Sequence, residues 1–176
     1  MICRQSDGLL EPGDFTDRPA AHPLCYRVCY LLKSGDRLLP FTRFAPREEV
    51  RNLLRDSYLL RPTVAEEFFS EAINRLYADG QTDHLAALRG LVERLYPPGR
   101  AIDDFQRQRL AEESVRTIYL HAHMDEETFD CSRAMLCPDL VPAAPGRWIP
   151  ACTYNLFYRM QDERFFVGAG DGGRSL

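Results

Sequence analysis

Residues 26–44, YRVCYLLKSGDRLLPFTRF, hold two apolar runs on either side of Ser34-Gly35-Asp36. A Gly-Asp pair between runs rich in β-formers and Leu is a hairpin signal. The spacing predicts strands over about Tyr26–Leu32 and Arg37–Thr42. Everything else in the chain is placed relative to this hairpin. Upstream, residues 1–24 are rich in Gly, Pro and Asp and read as an extended lead-in.

Downstream the period changes from two to about three and a half. Val50, Leu53, Leu54 and Tyr58 share one helical face in PREEVRNLLRDSYLL. Thr63 opens a capping box with Glu66, ahead of a helix with Phe69, Ile73, Leu76 and Tyr77 in its apolar stripe and Gly80 at its end. A third helix runs from Asp83 to about Tyr96 and is stopped by Pro97-Pro98-Gly99. DDFQRQRLAEES reads as a fourth, polar helix, and VRTIYLHA, from Val115, as a strand. ETFDCSRAML is expected to form a short helix capped by Thr128 or Asp130, and VPAAPG a loop. The fold class is therefore α+β: an N-terminal β-hairpin, a helical middle, then a strand and a Cys-bearing C-terminal lobe. The expected organisation is a lead-in over 1–24, one α+β accessory domain over 25–166, and a disordered tail over 167–176.

Composition limits function. Of 176 residues, 45% are hydrophobic and 27% charged, enough apolar material for a core without staples. The net charge of −4 argues against a nucleic-acid module. Lys33 is the only Lys, and the Arg excess reads as compositional bias rather than a general anion-binding role. No apolar run reaches the roughly 20 residues of a membrane span. The start, MICRQSDGLLEPGDF, is not a secretory signal, which points to a cytoplasmic setting. There, clustered thiols mean metal or redox chemistry more often than disulfides.

The six cysteines divide by context. Cys29, inside RVCYLL, reads as core, and Cys3 carries no assigned role. Cys131, inside the short helix, is open between ligand and structural residue. Cys25, Cys137 and Cys152 each sit beside a proline-bearing loop, in HPLC, LCPDL and IPAC. Such loops can turn several sulfurs toward one centre. No CxxC pair is present, so the zinc-ribbon signature is absent. His121 and His123, two apart at a strand end, face one side, and with Asp125 they form a candidate two-His metal site. His123 is the first stand-in where thiolates are short, because imidazole takes the same borderline metals. His22, three residues before Cys25, with Asp14 and Asp17 nearby, leaves a Cys-nucleophile enzyme open.

Three segments resemble the C-terminal part of a group of radical SAM proteins, the group that includes the archaeal tetraether lipid synthases. The first is carried by Gly8-Leu9-Leu10, Asp14-Phe15, Pro19, Pro23, Cys25, Pro40, Arg43 and Phe44. The second is similar to the family's His-x-Met-Asp and Phe-Asp-x-x-Arg-x-x-x-Cys stretches, through Met124-Asp125, Phe129-Asp130, Arg133 and Cys137. The third, through Gly146, Arg147, Ile149, Pro150, Cys152, Tyr154 and Asn155, is similar to Gly-Arg-x-Ile-Pro-x-Cys-x-Tyr-Asn. The resemblance runs from about Gln5 to Arg159.

It implies an accessory iron or iron–sulfur ([4Fe–4S]) site held by Cys25, Cys137 and Cys152, with Cys131 or His123 as further donors. It also implies a separate or truncated chain that positions substrate or relays electrons. The Cys-x-x-x-Cys-x-x-Cys motif that binds the S-adenosylmethionine cluster is absent. S-adenosylmethionine therefore enters only with a missing N-terminal part or a radical SAM partner subunit. Ala20 stands where the family has a Cys, and Pro138 where a second Cys often follows the first. These two departures favour the alternative: a metal-free remnant or small interaction domain with packed cysteines.

Overall fold

The computed structural model describes residues 2–18, 21–53, 65–143 and 146–162. The class is α+β, and the chain divides into two compact units, Met1–His121 and Ala122–Leu176.

The N-terminal unit is built on the expected hairpin. β1 (Tyr26–Ser34) pairs antiparallel with β2 (Arg37–Pro40), from Leu31↔Pro40 to Ser34↔Arg37. Gly35 has φ +59, which a two-residue turn of this hand needs at its first position. β3 (Val115–His121) pairs along the other edge of β1, from Leu32↔Val115 to Tyr26↔His121, giving the order β2-β1-β3.

Strand β1 is central, and it is buried on both faces. Val28, Tyr30 and Leu32 join the main core with Leu39, Phe41, Phe44 and the helices. Cys29 and Leu31, which point the other way, pack with Leu10 and Phe15 of the lead-in and with Ile118. That is why β1 reads as an unbroken apolar run rather than an alternating one. The lead-in is more than a spacer. Ile2–Gln5 is a short helix, α1, and Pro12–Asp14 a 3-10 turn. Thr16 and Val28 exchange backbone hydrogen bonds at 2.8 Å, extending the sheet beyond the end of β2.

The helices cover one face of the sheet. α2 (Arg47–Leu53) buries Val50; the expected continuation through Leu54 and Tyr58 lies outside the described residues, as does Thr63 of the capping box. α3 (Glu66–Ala78) buries Phe68, Phe69, Ala72 and Leu76. Ile73 is half-buried and packs against that core. Tyr77 does not belong to the stripe: it is 72% exposed, because the buried arc is centred one position away, on Phe68 and Ala72. α4 (Thr82–Leu95) buries Leu85, Leu88, Leu91 and Leu95 at helical spacing. α5 (Asp104–Ser114) is mostly polar and buries Ala111 and Ser114, and Asp103 caps it by accepting from the Gln106 N–H at 2.7 Å.

The C-terminal unit is loop-rich. α6 (Cys131–Met135) starts at Asp130, one of the two expected caps, whose carboxylate accepts from the N–H groups of Ser132 and Arg133. Leu140–Pro142 and Trp148–Pro150 pair as two short strands, β4 and β5; the loop expected over VPAAPG overlaps β4 at Val141 and Pro142. Helical turns follow: α7 (Ala151–Thr153), a π-helical turn (Tyr154–Tyr158) and a 3-10 turn (Arg159–Gln161). Residues 167–176, expected to form a tail, lie outside the described residues. Among the described residues, no helix is long and apolar enough to cross a membrane.

Candidate metal centre

Cys152 sits in α7, directly after the Ile149-Pro150 end of β5. Pro150 caps α7 with extended backbone, so the chain turns sharply there and delivers the sulfur inward. Cys152 is 3% exposed and packs with Met124, Ala134 and Phe129. Its sulfur accepts the Met124 N–H at 3.4 Å and stands 3.7 Å from His123 Nδ1.

His121 ends β3, two residues earlier on the same stretch of chain. Within the C-terminal unit, His123 and Cys152 each offer one ligand atom, and His121 is a third candidate donor by its place in the chain, two residues before His123. The His121 ring is held by stacking on Tyr26, with centroids 4.2 Å apart. A tetrahedral ion with bonds of about 2.0–2.3 Å keeps its ligand atoms about 3.5 Å apart. The His123–Cys152 separation is already close to that value. Two imidazoles and one thiolate suit a single ion of borderline softness. A cluster draws on more thiolates than this group contains.

The remaining sequence-derived residues each have their own surroundings. Cys25 is buried in the N-terminal unit with Ala21 and Tyr26. Cys137, half-buried in the C-terminal unit, donates its thiol hydrogen to the Asp139 carbonyl at 3.2 Å. The same carbonyl accepts the Ala151 N–H at 2.9 Å, tying Cys137 to the turn that carries Cys152. Cys131 is exposed at the first position of α6. Asp125 is not in the group of three donors. Its carboxylate accepts the Thr128 hydroxyl and the N–H groups of Thr128 and Glu127. The Thr128 hydroxyl bond leads in holding its pKa below the usual carboxylate value.

The Cys-nucleophile arrangement is not assembled around Cys25. Asp14 is buried and accepts from Thr42, Arg43 and the Glu11 N–H, while Asp17 pairs with Arg51 at 2.9 Å. Both carboxylates are thus committed to structure. Cys29 is core, as expected. Burial, with help from the Asp14 charge, pushes its thiol up to about 12.

Several residues that carry the resemblance turn out to be structural ties. Asp14 joins the lead-in to Thr42 and Arg43. Arg133 donates to the Ala122 carbonyl at 3.0 Å. Arg147 lies over the Tyr158 ring at 5.6 Å. His121 appears in the sequence only as half of a His-x-His pair. The approach of His123 to Cys152 is a long-range fact that spacing does not encode. No family model matches the chain, and no curated protein matches it.

Proposed function

We propose that this chain is an accessory metal-binding region that holds one iron or zinc ion through His123 and Cys152, with His121 as the third donor. In the radical SAM setting implied by the resemblance, it would position substrate or relay electrons for a catalytic partner that carries the S-adenosylmethionine cluster. The observation that carries the metal reading is the 3.7 Å approach of Cys152 Sγ to His123 Nδ1. With three protein donors, an ion keeps a fourth position for water or a substrate atom. Cys25 and Cys137 remain the thiolates the resemblance supplies for a larger cluster.

One observation favours the other reading. Cys152 packs against Met124, Ala134 and Phe129 as a small apolar side chain would. Anaerobic titration with Co(II), a spectroscopic stand-in for zinc, separates the two. The metal reading expects one equivalent bound, a thiolate-to-cobalt absorption band, and loss of that band in Cys152→Ser but not in Cys29→Ser. If wild-type protein takes up neither cobalt, zinc nor iron, and Cys152→Ser only destabilises the fold as Cys29→Ser does, the cysteines are packing residues and the proposal is wrong.

A further inference from the structure

The loop between α4 and α5 is pinned by one side chain. Arg107 donates to the carbonyls of Leu95 at 3.0 Å and Ile102 at 3.2 Å, and to the Asp104 carboxylate at 2.6 Å. Its guanidinium also lies over the Tyr96 ring at 5.0 Å. Residues 96–103 are thus held against both helices. The loop so held lines a cavity of about 400 Å³. That lies within the size range of small-molecule sites.

The lining has two characters. Arg94 from α4, Arg100 from the loop and Arg109 from α5 supply three guanidinium groups, and Ile102 and Leu110 supply apolar wall. The one carboxylate is Glu113, a loose partner of Arg109 at 3.7 Å. Arg94 and Arg100 form no ion pair with any described residue. The cavity therefore holds a surplus of two positive charges. A neighbouring hollow shares Arg109 and Glu113 and adds Glu112, Arg116 and Lys33, the chain's only Lys.

We propose that this cavity binds a small organic phosphate monoester, its phosphate on Arg94, Arg100 and Arg109 and its carbon skeleton against Ile102 and Leu110. A monoester phosphate carries about −1.5 to −2 at neutral pH, which matches the surplus. Planar guanidinium groups bind its oxygens in pairs. The Arg107 staple lowers the ordering cost, because the loop is already in place before the ligand arrives. Negative chain charge does not oppose this, since the field that matters at short range is local.

Calorimetric titration of the full chain with phenyl phosphate, in EDTA so that no metal takes part, tests it independently of the metal reading. Saturable one-to-one binding is expected. Arg94→Gln and Arg100→Gln, both at exposed positions, should each weaken it about tenfold with unchanged melting temperature. Inorganic phosphate, lacking the apolar part, and benzoate, carrying one charge, should bind more weakly. Absence of saturation, unchanged affinity in both variants, or equal affinity for phenyl phosphate, inorganic phosphate and benzoate would each overturn the proposal.

Discussion

The two units of this chain are stabilised by different means. The N-terminal unit buries Phe44, Leu32, Leu88 and Leu95 almost completely, on a sheet covered from both sides. Among its described residues, the C-terminal unit buries little beyond Met124, Ala134, Ile149, Cys152 and Tyr154. It leaves Met135, Trp148, Phe157 and Met160 more than half exposed. It relies on hydrogen bonds instead: the Asp125 loop, the Asp130 cap and the Asp139 carbonyl. Area burial accounts for the first unit, and in the second the proposed metal donors would add to these hydrogen bonds.

That contrast can be broken by substitution. The largest effect is expected in the N-terminal unit. Leu88→Ala removes a side chain with 0% exposure and should cost about 3–5 kcal/mol in urea unfolding followed by circular dichroism. A loss under 1 kcal/mol would mean the helical core is not the main source of stability there.

Metal comes next. Zinc at about a hundred times its dissociation constant should add about 2.7 kcal/mol to whatever it folds. Hydrogen exchange with and without EDTA should then change about a hundredfold for amides of residues 122–162 and little for those of β1 and α4. Equal change in both sets would show that the contrast between the units is false.

A smaller effect sharpens it. Asp130→Ala removes the α6 cap and should cost about 1 kcal/mol, read as faster exchange of the Ser132 and Arg133 amides. If exchange there is unaltered, the hydrogen-bonded loops are not what orders this unit.

The smallest effect belongs to Asp17. Burial pulls its pKa up, but the Arg51 hydrogen bond and charge outweigh it, and the net shift is downward from 3.8. A depressed carboxylate stabilises the fold above its ordinary value, and that contribution disappears as pH falls through the folded value. Asp17→Asn should therefore be less stable than wild type at pH 7 by about 0.5 kcal/mol and indistinguishable from it in strong acid. A difference that grows on acidification would reverse the assignment.

Legibility in the sequence followed element length and locality. The Gly35 turn, the third helix from Asp83 to about Tyr96 and the Asp130 cap are local signals, and the structure has all three. The β4–β5 hairpin was hidden because strands of three residues are too short to show a period. Tyr77 misled because a stripe read in sequence can be off by one position on the helix surface. Cys152 and His123 were both visible as donors, yet their meeting depends on how the turn after β5 packs against residues 122–134 of the same unit. The Arg94–Arg100–Arg109 cavity could not be read at all, since an Arg-rich chain gives no way to tell which guanidiniums lack a partner.

The lead-in packed on β1 has a practical consequence for handling the protein. Residues 2–18 resemble a dispensable leader, and a protease or an engineer would cut there first. Removing them would strip Leu10 and Phe15 from the sheet and bare Cys29 and Leu31 to water. A flat, greasy strand face carrying an oxidisable sulfur recruits other copies of itself. The shortened protein should therefore appear first as a solubility problem, with clumping and thiol cross-links at Cys29.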